Sequence, residues 1–247
     1  MSSTIKESQT ETFLGGKVIV RQPETGFRSG LDAVMLAAAV TARAGQSALE
    51  LGAGAGTASL CLAARTGIAI TGLELDAALV SLANENATAN GLGKTVRFVE
   101  GDVLSPPNAL KTSFDLVFAN PPFHGPGSAP PDPARARALM DKDGLAAWLA
   151  AGLKRTMSGG IFTTIIRADR TGEALAALPE AGVTLFPLWP RAELPAKRVI
   201  LQAVKGSGAP FVLHPGLILH QKDGAYTPQA EAILRGGSAL ALDFPRL

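Results

Sequence analysis

Asn120-Pro121-Pro122-Phe123 places an amide, two conformationally fixed residues and an aromatic ring in consecutive positions. The prolines remove two backbone donors and fix two φ angles, so the segment is stiff and its carbonyls are not consumed by a helix or a ladder. Such a segment can receive a planar group carrying an NH2. The Asn120 side-chain oxygen and the Pro121 backbone oxygen accept the two hydrogens, and the ring stacks on Phe123. A second feature is Glu50-Leu51-Gly52-Ala53-Gly54-Ala55-Gly56. Glycine there lets the chain turn tightly and lets a ligand approach the backbone with no Cβ in the way. The spacing is not GxGxxG, and no Lys-Ser/Thr pair follows as in a phosphate-binding loop. Glu50 would repel a pyrophosphate but suits a cationic ligand. Glu74, 22 residues beyond Gly52, has the place of an acid that accepts from ribose hydroxyls, and Asp102 could accept from an adenine amino group. Taken singly, each feature also fits a ligand-free turn, a solvated strand end or a helix cap. Their succession along the chain favours a ligand.

These residues need a scaffold that brings strand ends together. Short apolar runs at 47–51, 68–74, 95–99, 114–119, 160–166, 183–187 and 198–204 read as buried strands. Between them, 57–65, 77–90, 134–157 and 172–181 have helical spacing. Alternation of this kind gives right-handed βαβ units on a mainly parallel sheet covered by helices on both faces. In that arrangement the glycine turn, Glu74, Asp102 and Asn120 fall at successive strand ends. Gly15 and Gly16 suggest an N-terminal hairpin, Gly91 suits the cap of the second helix, and 125–133 reads as a surface loop.

Composition sets limits. The chain has 247 residues, 47% hydrophobic and 18% charged, enough for a sizeable core and too apolar for disorder. One cysteine, Cys61, excludes a disulfide framework or a Cys-based zinc site, and it reads as a packed core thiol. His214 and His220 have no partner at ligand spacing, so no metal is expected. No apolar run approaches the roughly 18 residues of a membrane span, and the polar N-terminus shows no export signal. A cytoplasmic protein is expected. Net charge is +2, with residues 124–247 carrying 14 Lys/Arg against 10 Asp/Glu. A mildly basic second half is compatible with a phosphate-bearing partner or with an ordinary surface.

The glycine motif, Glu74 and Asp102 resemble those of class I S-adenosylmethionine-dependent methyltransferases. That resemblance implies an α/β, Rossmann-like three-layer sandwich whose seven-stranded, mainly parallel sheet has its last strand antiparallel. It also implies S-adenosylmethionine as cofactor, with Asp32, Glu50, Gly52, Ala53, Gly54, Gly56, Glu74, Asp102, Val103 and Asn120 around it. Asn-Pro-Pro-Phe after the fourth strand resembles the amino-group methyltransferases, which act on adenine N6, guanine N2 or glutamine amides. Asn120, Pro121, Pro122 and Phe123 are then the catalytic candidates. Gly26-Phe27-Arg28-Ser29-Gly30-Leu31-Asp32 is similar to a segment of bacterial tRNA-valine adenine-N6 methyltransferases, with Leu31 where threonine is usual. Leu194-Pro195-Ala196-Lys197-Arg198-Val199 and Tyr226-Thr227-Pro228 are similar to that family as well.

The resemblance implies methylation of adenine N6 in a tRNA anticodon loop, by one domain over 1–247 with an N-terminal hairpin/helix extension and a C-terminal strand/helix addition. Arg135, Arg137, Lys197 and Arg198 are candidate phosphate contacts. Guanine-N2 and glutamine methyltransferases are the alternatives within the class. About 25 residues precede the Gly26 motif, too few for the helical recognition domain usual in the glutamine enzymes. A non-catalytic cofactor- or RNA-binding module is the rival from another class, and it would have little use for an intact Asn-Pro-Pro-Phe. His124 reads as a loop residue, and Trp148 and Trp189 fit core or interface equally.

Overall fold

The computed structural model describes residues 8–24, 28–122, 144–178, 181–240 and 242. Strands β1 (Ser8–Phe13) and β2 (Val18–Pro23) form the N-terminal antiparallel hairpin, turned by Leu14–Gly16 with Gly15 and Gly16 at positive φ. Helix α1 (Leu31–Ala39) follows and is buried along most of its length. The alternating unit then runs β3 (Ser47–Leu51), α2 (Thr57–Thr66), β4 (Ala69–Glu74), α3 (Ala77–Ala89), β5 (Val96–Glu100) and β6 (Phe114–Ala119). After it come α4 (Gly144–Arg155), β7 (Thr156–Arg167), α5 (Thr171–Ala176), β8 (Ala181–Trp189) and β9 (Arg198–Lys205). Two-residue strands β10 (Val212–Leu213) and β11 (Leu217–Ile218) and helix α6 (Pro228–Leu234) complete the described chain.

The sheet order is β10-β8-β9-β7-β6-β3-β4-β5, with β11 also on β8. The seven long strands are those the sequence predicts, and β9 is the antiparallel one, inserted between β7 and β8. β10 and β11 widen the sheet to nine strands and pair with β8 in parallel, on either side of His214-Pro215-Gly216. Side chains alternate along β6: Leu116 and Phe118 join the core under α1, α2, α3 and α6, while Val117 and Ala119 join the core under α4 and α5. Three layers result.

Two helix boundaries depart from the sequence reading. The helix expected over 134–157 ends at Arg155, where the Thr156 hydroxyl donates to the Gly152 carbonyl at 2.9 Å and the chain enters β7. The helix expected over 172–181 runs from Thr171 only to Ala176, and Ala181 already belongs to β8. Alanine favours helix and is depleted in strands, so at Ala181 pairing with β9 overrides the local preference. The loop at 125–133 and the first part of the 134–157 segment lie outside the described residues.

The hairpin is fastened to α3 by side-chain amides. Asn90 accepts from the Ile19 N–H at 2.9 Å and donates to the Ile19 carbonyl, and Asn86 does the same for Arg21. Further along, Gln22 brackets Ser29, accepting from its N–H at 2.7 Å and donating to its carbonyl at 3.0 Å. Glu11 accepts from Gln22 and pairs with Arg28. The segment leading into α1 is thereby anchored on both sides.

Candidate active site

Parallel register sets the layout. Leu51 of β3 pairs with Ala119 of β6 and with Leu73 of β4, and Glu74 pairs with Glu100 of β5. The residues that follow, Asn120, Gly52 and Glu74, therefore emerge side by side, about 4.8 Å apart per strand, with Asp102 two residues beyond β5.

The turn has Gly52, Gly54 and Gly56 at φ +70°, +56° and +88°. Its peptides are tied down: the Gly52 and Ala53 N–H groups donate to the Leu73 carbonyl at 2.8 and 3.0 Å, and the Gly56 N–H donates to the Ala53 carbonyl at 2.9 Å. The three glycines serve different ends. A Cβ on Gly52 would lie 2.6 Å from Trp148 Cη2, and one on Gly56 would lie 2.6 Å from Phe98 Cζ. A Cβ on Gly54 would have nothing within 4 Å. Gly54 is thus the open point of the turn, and the other two permit close packing. The sequence left Trp148 undecided; it lies on α4 with its indole against Gly52.

Glu74 sits at the lip. One carboxylate oxygen accepts from the Gly54 N–H at 2.8 Å and the other from the Asp76 N–H at 3.0 Å. Asp102 is exposed and accepts from the Leu104 N–H at 2.8 Å, while Val103 and Ala53 are buried. These groups fit a ligand with hydroxyl and amino donors, an apolar ring and no phosphate, as S-adenosylmethionine has.

Glu50 lies behind the turn. It is 3% exposed, and one oxygen accepts from the Ser59 N–H at 3.1 Å and the Ser59 hydroxyl at 2.5 Å, joining β3 to the start of α2. Burial pushes its carboxyl up to about 8, against the lowering effect of the two Ser59 bonds.

Asn120 carries the most telling feature. Its side-chain oxygen is buried and has no hydrogen-bond partner among the described residues. Pro121 is buried and Pro122 half-buried, while Phe123 and His124 lie outside the described residues. Asp32, in the first turn of α1, is held by Arg198 at the start of β9, Nε to Oδ2 at 2.8 Å. Arg198 is therefore engaged within the protein, whereas Lys197 is exposed; Arg135 and Arg137 lie outside the described residues.

The remaining candidates sit away from this cluster. Cys61 is buried in α2, His214 packs against the Phe186 ring with centroids 5.7 Å apart, and His220 stacks on Tyr226 at 4.7 Å. Trp189 donates to the Pro215 carbonyl at 3.0 Å. Among the described residues no group of three or more His, Cys, Asp or Glu is placed to hold a metal, and no helix is long and apolar enough to cross a membrane.

Comparison with known proteins points to one class of enzyme. The model of the family "Methyltransferase small domain" matches residues 29–137. A tRNA1(Val) (adenine(37)-N6)-methyltransferase of Tolumonas auensis is 30% identical over 167 residues, 66% of this chain and 68% of that protein. One from Dickeya chrysanthemi is 26% identical over 240 residues, 92% of this chain and 94% of that protein. A crystal structure of protein Atu636 from Agrobacterium tumefaciens, described as a predicted O-methyltransferase, superposes with a TM-score of 0.73 at 25% identity, covering 86% of this chain and all of that one. With the glycine turn, the acidic strand ends and Asn120 in one row, the chain belongs to the S-adenosylmethionine-dependent methyltransferases, in the family of the tRNA1(Val) (adenine(37)-N6)-methyltransferases.

Proposed function

We propose that the protein methylates the exocyclic N6 of an adenine in a tRNA anticodon loop, and that 1–247 acts as one methyltransferase domain in the cytoplasm. The observation that carries this reading is the buried side-chain oxygen of Asn120 beside the glycine turn, which has no hydrogen-bond partner among the described residues. A buried acceptor without a donor costs about 1–3 kcal/mol, so the site favours an incoming donor. The names of the relatives supply the tRNA and the adenine.

Bound S-adenosylmethionine supplies an electrophilic methyl group. Gly54 leaves room for the approach, and Glu74 and Asp102 hold the ribose and the adenine. The target amine is delocalised into its ring and is a poor nucleophile. The Asn120 oxygen and the Pro121 carbonyl accept its two hydrogens, orient the nitrogen, favour pyramidal geometry and stabilise the positive charge that develops. Alkylation makes the nitrogen's proton acidic, so no strong base is required. Phe123 stacks the base, which must first leave the loop's own stack. Lys197, with Arg135 and Arg137, contacts phosphates, giving affinity that falls with salt.

The test offers labelled cofactor with unmodified tRNA, free adenosine and a release-factor peptide. Labelling of adenine in tRNA is expected. Labelling of the peptide alone would overturn the reading, and guanine labelling would move the target to N2.

A further inference from the structure

Asn86 touches two parts of the molecule that the reaction has not so far connected. It is 2% exposed on the buried side of α3. Its oxygen accepts from the Arg21 N–H at 2.9 Å; its nitrogen donates to the Arg21 carbonyl at 2.9 Å and to the Ala55 carbonyl at 3.0 Å. Arg21 belongs to the hairpin strand β2, and Ala55 belongs to the glycine turn. We propose that Asn86 is a positioning residue for the cofactor: it holds the turn in its binding conformation and couples it to the N-terminal hairpin, which tightens when the cofactor binds. The inference rests on the reading of the turn as the cofactor's cradle.

Geometry explains why an asparagine pair can do this. Asn86 on α3 and Asn90, the residue that caps its C-terminus, stand four residues apart, about 6 Å along the axis. Ile19 and Arg21 stand two apart on β2, about 6.7 Å along the strand. The near match lets the two amides meet successive backbone pairs on the strand edge, so α3 serves the hairpin as a third strand would. Only Asn86 also reaches the turn, because only its nitrogen lies within hydrogen-bond distance of Ala55.

The turn needs such a tie. Three glycines at positive φ have more backbone freedom to lose than any other residues. If the turn is loose in the free protein, ligand binding bears the cost of ordering it. Leu73 fixes the Gly52 and Ala53 amides, and Glu74 fixes that of Gly54. Glu74 is half-buried at the lip and is shared with the ligand's ribose. Asn86 acts from the buried side and competes with no ligand. A cofactor that stiffens the turn therefore strengthens the bond to Ala55, and through the same amide the hold on Arg21.

The experiment uses the full chain. Calorimetry gives the Kd for S-adenosylhomocysteine in the native protein and in Asn86→Ala, Asn90→Ala and Gly54→Val, and kcat is read at saturating cofactor. Asn86→Ala is expected to raise Kd about three- to tenfold while keeping kcat within about twofold. Asn90→Ala removes the neighbouring hairpin bonds without touching the turn, and should leave Kd unchanged. Amide hydrogen exchange by NMR on the native protein is the second readout and needs no variant. S-adenosylhomocysteine should slow exchange of the Arg21 amide more than that of Ile19. Equal effects of the two asparagine variants on Kd, or Arg21 exchange indifferent to the ligand, would overturn the inference. Native Kd in Gly54→Val would instead overturn the cradle reading itself.

Discussion

Glu50→Gln isolates the charge of the buried acid behind the turn. In the folded chain burial pushes this carboxyl up to about 8, while the ordinary value is 4.5. Between those values the folded state keeps a proton that the unfolded state has released. Because the folded value is the higher one, the contribution to stability is complete below about 4.5, falls as pH rises, and levels off above about 8. Each unit is worth about 1.4 kcal/mol, so the loss is about 3 kcal/mol at pH 7 and about 5 kcal/mol on the plateau. Glutamine can accept both Ser59 bonds and does not titrate. Its new NH2 adds a constant offset that does not depend on pH. Urea unfolding of the cofactor-free proteins at intervals from about pH 5 to pH 9 is the assay. The stability difference in favour of Glu50→Gln should grow with pH to about 8 and then flatten. A difference constant across that range would refute the reasoning, since it would mean that the folded chain holds Glu50 ionised.

Asn120→Ala should keep cofactor affinity within about twofold in calorimetry and lose about a hundredfold or more in turnover, because its oxygen acts chiefly in the transition state. Gly52→Ala should destabilise the fold by about 1–3 kcal/mol in urea titration, since its Cβ meets the Trp148 indole at 2.6 Å and its φ is positive; an additional Trp148→Leu change should recover part of that loss. Cys61 is 1% exposed, and burial pushes its thiol up to about 12, so Ellman's reagent should react at the rate of unfolding and not before.

The succession of strands along the chain, and the strand ends at which the candidate residues stand, were legible because both rest on local pattern. Apolar runs of strand length, glycines directly after a strand and acids at strand ends require no knowledge of distant contacts, and they recover β3 to β9 and the places of Gly54, Glu74 and Asn120. Contacts between remote segments were not legible. Gly52 and Gly56 look alike in the sequence, yet one is required by Trp148 and the other by Phe98. Arg198 reads as a free cation until α1 brings Asp32 against it. Glu50 reads as a partner for a cation, and its bond to Ser59 depends on how α2 leaves the turn. The asparagines of α3 left a faint signal: Asn86 and Asn90 are four apart, so they share one face of the expected helix, and a polar pair on such a face implies backbone partners. The short β10 and β11 fall on two apolar runs that flank His214-Pro215-Gly216, but their parallel pairing with β8 is a remote contact that those runs do not announce.

Nucleoside mass spectrometry of tRNA decides the central claim. Unmodified tRNA is incubated with S-adenosylmethionine and either the native protein or Asn120→Ala, then digested to nucleosides. N6-methyladenosine formed by the native protein and nearly absent with Asn120→Ala is the result expected. Methylation confined to guanine N2, or equal N6-methyladenosine with both proteins, would contradict it.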